Sequence, residues 1–187
     1  MSRTRFMSLA TALLGAASLQ AQAPSPWDVG ASLVLPLDGL KKVTHAGAFG
    51  GFIAEVGYHG LVNGTKLPFR ASGSVNVLPG RQEGSVKSSL LGYQIAGDVF
   101  APTGLDRLQL VVGLSLNRWT WDYQDPTGHT KSTMKGPKFG ARLGFDWWMN
   151  KHLTATVLLQ QTELGTDNRS SRAYNPSWLQ VGATYRF

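Results

Sequence analysis

Four carboxylates and three guanidiniums are the side chains best able to do chemistry in this chain: Asp28, Glu55, Asp98 and Asp146 against Arg70, Arg142 and Arg186. Each lies in a run where apolar residues recur at every second position. Each takes the opposite parity, so all seven share the face that the apolar residues avoid. Charge withdrawn from water persists only when paired, and the planar fork of an arginine can serve two carboxylates at once. Two roles fit such a set: a path for protons or ions, and a network that satisfies itself while filling an interior. The second asks for nothing beyond pairing and is the expectation.

Catalysis and metal binding find less support. The histidines are His45, His59, His129 and His152, and no two have metal-ligand spacing on one strand face. The chain has no cysteine, which removes a thiolate site, a cysteine nucleophile and a disulfide framework. Asp125, His129 and Ser132 share one loop, but a triad needs an oriented base within hydrogen-bond reach, and no His-x-Ser falls on a regular strand. No catalytic residue, cofactor or metal is expected. The formal charge of +7 is scattered, which gives nucleic acid no footprint.

The elements that must carry these residues are strands. Eight segments alternate with a period of two: residues 27–37, 48–59, 67–78, 88–101, 108–121, 138–149, 153–164 and 177–187. Each is long enough for the ~9–11 residues of a tilted transmembrane strand. The connectors after the even-numbered segments are short and those after the odd-numbered ones longer, which predicts tight turns at one end of a barrel and loops at the other. Aromatics gather near segment ends, as in the belts that sit at headgroup depth. Trp119, Trp121, Trp148 and Trp178 have inward parity, so only part of each group can form a belt. The uncharged face belongs outside. About eight glycines on the charged face suit a narrow interior crossed by bulky ionic groups.

Residues 1–21 have the form of a signal peptide: Arg3 and Arg5, then an apolar stretch, then a small-residue boundary at Ala21, with Ala23 as the alternative cut. The domain expected is 22–187.

The last eleven residues, Ser177 to Phe187, alternate without a break up to Tyr185 and Phe187. This stretch resembles the C-terminal signal strand of Gram-negative outer-membrane β-barrels, with Tyr185 and Phe187 in the positions that family uses. The resemblance implies an encounter with the outer-membrane barrel assembly machinery. The remainder resembles the small eight-stranded barrels of the OmpA transmembrane domain and OmpX type. It implies an all-β, antiparallel, up-and-down barrel in the bacterial outer membrane with both termini in the periplasm. The expected role is non-enzymatic, in envelope structure or surface interaction. A small pore or solute-binding barrel is the alternative, and a lipid-modifying enzyme is the least favoured. Partners expected are outer-membrane lipids and lipopolysaccharide. Arg118 is outward by parity near the upper end of its segment, where it can reach lipid phosphate. Lys41, Lys42, Arg81, Lys87, Lys131, Lys135, Arg169 and Arg172 make the loops on that side basic.

Overall fold

The computed structural model describes residues 25–37, 40, 41, 44, 45, 48–63, 65–80, 82–133, 136–166 and 173–187. The expected signal peptide, and Lys42, Arg81, Lys135, Arg169 and Arg172, lie outside the described residues.

The described residues form β1 (Trp27–Pro36), β2 (Gly51–Leu61), β3 (Pro68–Leu78), β4 (Gln82–Glu83), β5 (Val86–Pro102), β6 (Leu108–Asp125), β7 (Gly128–Thr133), β8 (Lys138–Trp148), β9 (Leu153–Thr162), β10 (Gly165–Thr166), β11 (Ala173–Tyr174) and β12 (Ser177–Arg186). Eight of them, in the order β1, β2, β3, β5, β6, β8, β9 and β12, pair antiparallel with their sequence neighbours in a closed up-and-down barrel. The seam is the β1–β12 ladder, running from Asp28 opposite Arg186 to Pro36 opposite Trp178. Closure leaves these eight strands no free edge within the barrel. Both described chain ends sit at the short-turn end.

β4 and β7 were expected as loop. They prolong β5 and β6 beyond the barrel at the far end, through the pairs Glu83–Val86 and Asp125–Gly128. The second hairpin closes because the Asp125 carboxylate accepts from the backbone N–H of Thr127 at 2.8 Å and of Gly128 at 3.0 Å, a side-chain-made turn. The first long connector carries a helical turn, in which Lys41 N–H donates to Leu37 O at 2.9 Å and His45 N–H to Lys41 O at 2.8 Å.

Exposure settles which face is outside. Leu33 is 54% exposed, Ile95 70%, Leu114 69% and Phe139 67%, while Asp28 is 0%, Asp98 2% and Arg142 1%. The greasy set faces out and the polar set faces in, the reverse of a water-soluble barrel.

Candidate functional site

The register of the strands decides which ionic groups meet. Asp28 on β1 lies opposite Gly57 on β2, and Arg70 on β3 lies opposite His59 on β2. Arg70 must therefore reach across β2 to find Asp28, and it does so over Gly57, where a Cβ would run into Arg70 Nε and Asp28 Oδ2. Arg70 Nε donates to Asp28 Oδ2 at 2.9 Å and Nη2 to Oδ1 at 2.5 Å, a bidentate pair. Its Nη1 lies 3.2 Å from Glu55 Oε1.

The same device recurs on the opposite wall. Arg142 on β8 and Asp98 on β5 both face Gly113 on β6. Arg142 Nη1 lies 3.1 Å from Asp98 Oδ2, and Nη2 lies 3.9 Å from Glu55 Oε2. Glu55, itself opposite Gly30, thus bridges the two arginines across the lumen. The Arg142 contacts are ion pairs without hydrogen-bond geometry: among the described residues its three nitrogens and Asp98 Oδ1 have no hydrogen-bond partner.

Five of the seven ionic residues are joined in this way. Asp146 is not. It is buried opposite Thr156, whose hydroxyl interacts with its carboxylate, and among the described residues its Oδ1 has no hydrogen-bond partner and it makes no ion pair. Arg186 is not either. It sits half-buried at the mouth, where its Nε donates to the Ser25 carbonyl at 2.7 Å. Although Arg186 lies opposite Asp28 in the β1–β12 register, its side chain turns to the backbone at the mouth.

His59 enters instead. Its Nε2 lies 2.8 Å from Asp28 Oδ2, and its ring stacks on Phe100 with centroids 6.0 Å apart. Sequence reasoning placed His59 on the inward face but left it out of the charged set. The available signal was its place near the end of β2, two residues beyond the Gly57 that faces Asp28 and directly opposite Arg70. With Phe100, Gln109, Trp148 and Arg186 it borders a recess of about 290 Å³ at the short-turn mouth.

Beyond the charges comes a belt of amides and hydroxyls. Gln160 Nε2 donates to Gln94 Oε1 at 2.5 Å, and Gln180 Nε2 to Ser32 Oγ at 3.0 Å. The far end of the lumen is apolar. Val34, Ile53, Leu78, Leu90, Trp119, Leu164 and Trp178 are buried together with Leu40 from the helical turn. Trp119 and Trp178 meet edge-on at 6.0 Å, and Trp119 lies over Gly92. The interior is therefore not filled by charge alone. Trp119 and Trp178 are lumen filling, whereas Trp27, Tyr58 and Trp147 stand outside at the short-turn end, with Trp27 and Tyr58 edge-to-face at 5.2 Å.

Of the remaining residues, Tyr185 and Phe187 sit together at the seam, 5.7 Å apart, with Phe187 N–H on the Trp27 carbonyl at 3.2 Å. Arg118 is exposed and opposite Tyr93. His129 contacts Asp122 at 2.6 Å on an exposed hairpin, while Asp125 closes the turn and the Ser132 side chain is outside the described set. Among the described residues no three metal-ligating side chains cluster.

No family model matches the chain, and no curated protein matches it. Solved structures do. Neisserial surface protein A is 13% identical, with 89% of this chain and 100% of that one covered and a TM-score of 0.58. Ail, the attachment invasion locus protein of Yersinia pestis, is 12% identical over 89% and 100%, with a TM-score of 0.55. The N-terminal barrel domain of Pseudomonas aeruginosa OprF is 9% identical over 88% and 99%, also at 0.55. The fold is that of the small eight-stranded outer-membrane β-barrels.

Proposed function

We propose that the protein is an outer-membrane barrel of non-enzymatic role, acting in envelope structure or through its outer surface, and that its lumen is closed to solutes. One observation carries this: two fillings lie in series along the axis, an ionic cluster held by Arg70 and Arg142 and an apolar layer packed around Trp119 and Trp178. An ion would have to pass both. The apolar layer is the higher barrier, because its side chains are hydrocarbon apart from the indole N–H groups of Trp119 and Trp178 and cannot replace an ion's hydration shell.

The apolar exterior supports residence in a bilayer, since no aqueous surface of this size is so greasy. The short turns beside both described chain ends favour a periplasmic location for that end, with the β4–β7 extension outside the cell. On the same reading residues 1–21 are the export signal, and the Tyr185–Phe187 edge is the feature engaged by the assembly machinery.

Conductance in planar bilayers tests the closure. Wild type should show no steps of open-porin size. Trp119→Ala with Trp178→Ala should raise leak more than Glu55→Ala, because the charged layer alone is not the seal. A wild type conducting like an open porin would replace this reading with the pore.

A further inference from the structure

We infer that the outer face of the β5–β6–β7 ladder is a binding site for a phosphorylated membrane lipid, with Arg118, Lys131 and Lys87 as its anion ligands. The inference rests on the proposed orientation in the outer membrane and goes beyond the role proposed above. It starts from where the apolar exterior stops. Along β6 the outward residues are Leu110, Val112, Leu114 and Leu116, then Arg118, Thr120 and Asp122. Leu108 lies opposite Trp147 of the lower aromatic group. From Leu108 to Arg118 the strand rises about 34 Å, or about 26 Å along the axis at a tilt of ~40°, and the apolar band of such barrels is ~25 Å tall. Arg118 therefore stands at the upper border of the hydrocarbon, where a lone outward guanidinium needs an anion.

Just above it is a groove of about 330 Å³, with Val77 and Leu91 as an apolar wall and Lys87, Lys131, Ser89 and Thr120 among its polar residues. Lys131 pairs in register with Asp122, but that carboxylate is held by His129 at 2.6 Å. Among the described residues no acidic group pairs with Arg118, Lys87 or Lys131, and all three are exposed. The surface is thus apolar below and cationic above. A free phosphate would use only the upper half. An amphiphile with phosphate on its headgroup uses both, and the outer-leaflet lipid of that chemistry is the lipid A of lipopolysaccharide. Arg118 can take a phosphate oxygen pair bidentately, and the two lysines serve as point charges.

The test uses the refolded full chain in phosphocholine vesicles, after slower or faster gel mobility on heating has confirmed that the barrel is folded. A chain that never folds there would overturn the barrel orientation rather than this site. Bisphosphorylated lipid A should raise the melting temperature of wild type. The same lipid with its phosphates removed, and free pyrophosphate, should raise it far less. Arg118→Gln with Lys87→Gln and Lys131→Gln should lose most of the rise, whereas Lys66→Gln, at a short turn of the opposite end, should keep it. An equal rise in the triple variant, or with dephosphorylated lipid or pyrophosphate, would overturn the site.

Discussion

Val157 and Thr156 are adjacent on β9 and face opposite ways, so the same substitution should cost far more at one than at the other. Val157 is 42% exposed and lies between Phe145 and Val181 on the neighbouring strands. It is four residues from Leu153, where β9 begins, which places it about 10 Å up a band ~25 Å tall. An arginine there faces acyl chains near mid-depth and should cost about 2–4 kcal/mol. Thr156 is buried and opposite Asp146, the one inward carboxylate of the set left without an ion pair. Thr156→Arg exchanges the hydroxyl that interacts with this carboxylate for a guanidinium. An attraction of about 4 kcal/mol at 4 Å and an effective dielectric of 20 offsets the several kcal/mol lost on withdrawing the cation from water. The net effect should be near zero. Urea unfolding in phosphocholine vesicles, followed by tryptophan emission, gives both numbers. If Thr156→Arg loses as much stability as Val157→Arg, Asp146 is not an available partner and the facing of β9 does not control tolerance of charge.

Other substitutions probe the remaining contacts. Arg70→Met should cost about 3–5 kcal/mol, because Asp28 and Glu55 are left buried without their cation, and Arg70→Met with Asp28→Asn and Glu55→Gln should recover most of it; unfolding curves that rank the triple variant no better would refute the network. Gly113→Val should destabilise by about 1–3 kcal/mol, since its Cβ meets Asp98 Oδ1 and the Gly97 carbonyl, whereas Gly97→Val points into open space and should be neutral or better by melting temperature. Phe187→Ser should lower the yield of heat-modifiable barrel in outer-membrane fractions more than Phe187→Tyr does, and equal yields would remove Tyr185 and Phe187 from any role in assembly.

Much of this architecture is legible in a period of two. Leu108, Lys138, Leu153 and Ser177 begin strands at the expected residues, because a turn former or a polar connector stands before each. The second strand starts later than expected, at Gly51 rather than Ala48, with Gly51 at a φ of 141°. The hidden part lay in positions apolar on both faces. Leu33-Val34-Leu35, Phe52-Ile53 and Leu90-Leu91 interrupt the alternation, and all fall at the far end. Such runs mark a strand buried on one side by lipid and on the other by core. Parity therefore found the ionic half of the lumen and the inward Trp119 and Trp178, but not the aliphatic residues that pack around them. Leu40 had no periodic signal, since it comes from a helical turn in a connector. Arg70 and Glu55 flank one short turn, but the register sets Glu55 opposite Ser74, and their contact depends on the length of the arginine.

The glycines opposite large lumen groups bear on how the barrel closes. A slip of one residue between neighbouring strands turns every side chain to the wrong solvent and is rejected by hydrophobicity. A slip of two preserves inside and outside, and lipid cannot detect it. Size and charge can. Moving β1 by two against β2 takes Asp28 off Gly57 and sets it opposite Glu55 in one direction and His59 in the other. Moving β5 by two against β6 takes Trp119 off Gly92 and onto Gln94 or Leu90, and Asp98 off Gly113 and onto Val111 or Ser115. The glycines are notches cut for particular teeth. They select one shear for the whole cylinder, so that a strand-by-strand assembly in the membrane has a single closure in which every layer of the lumen fits.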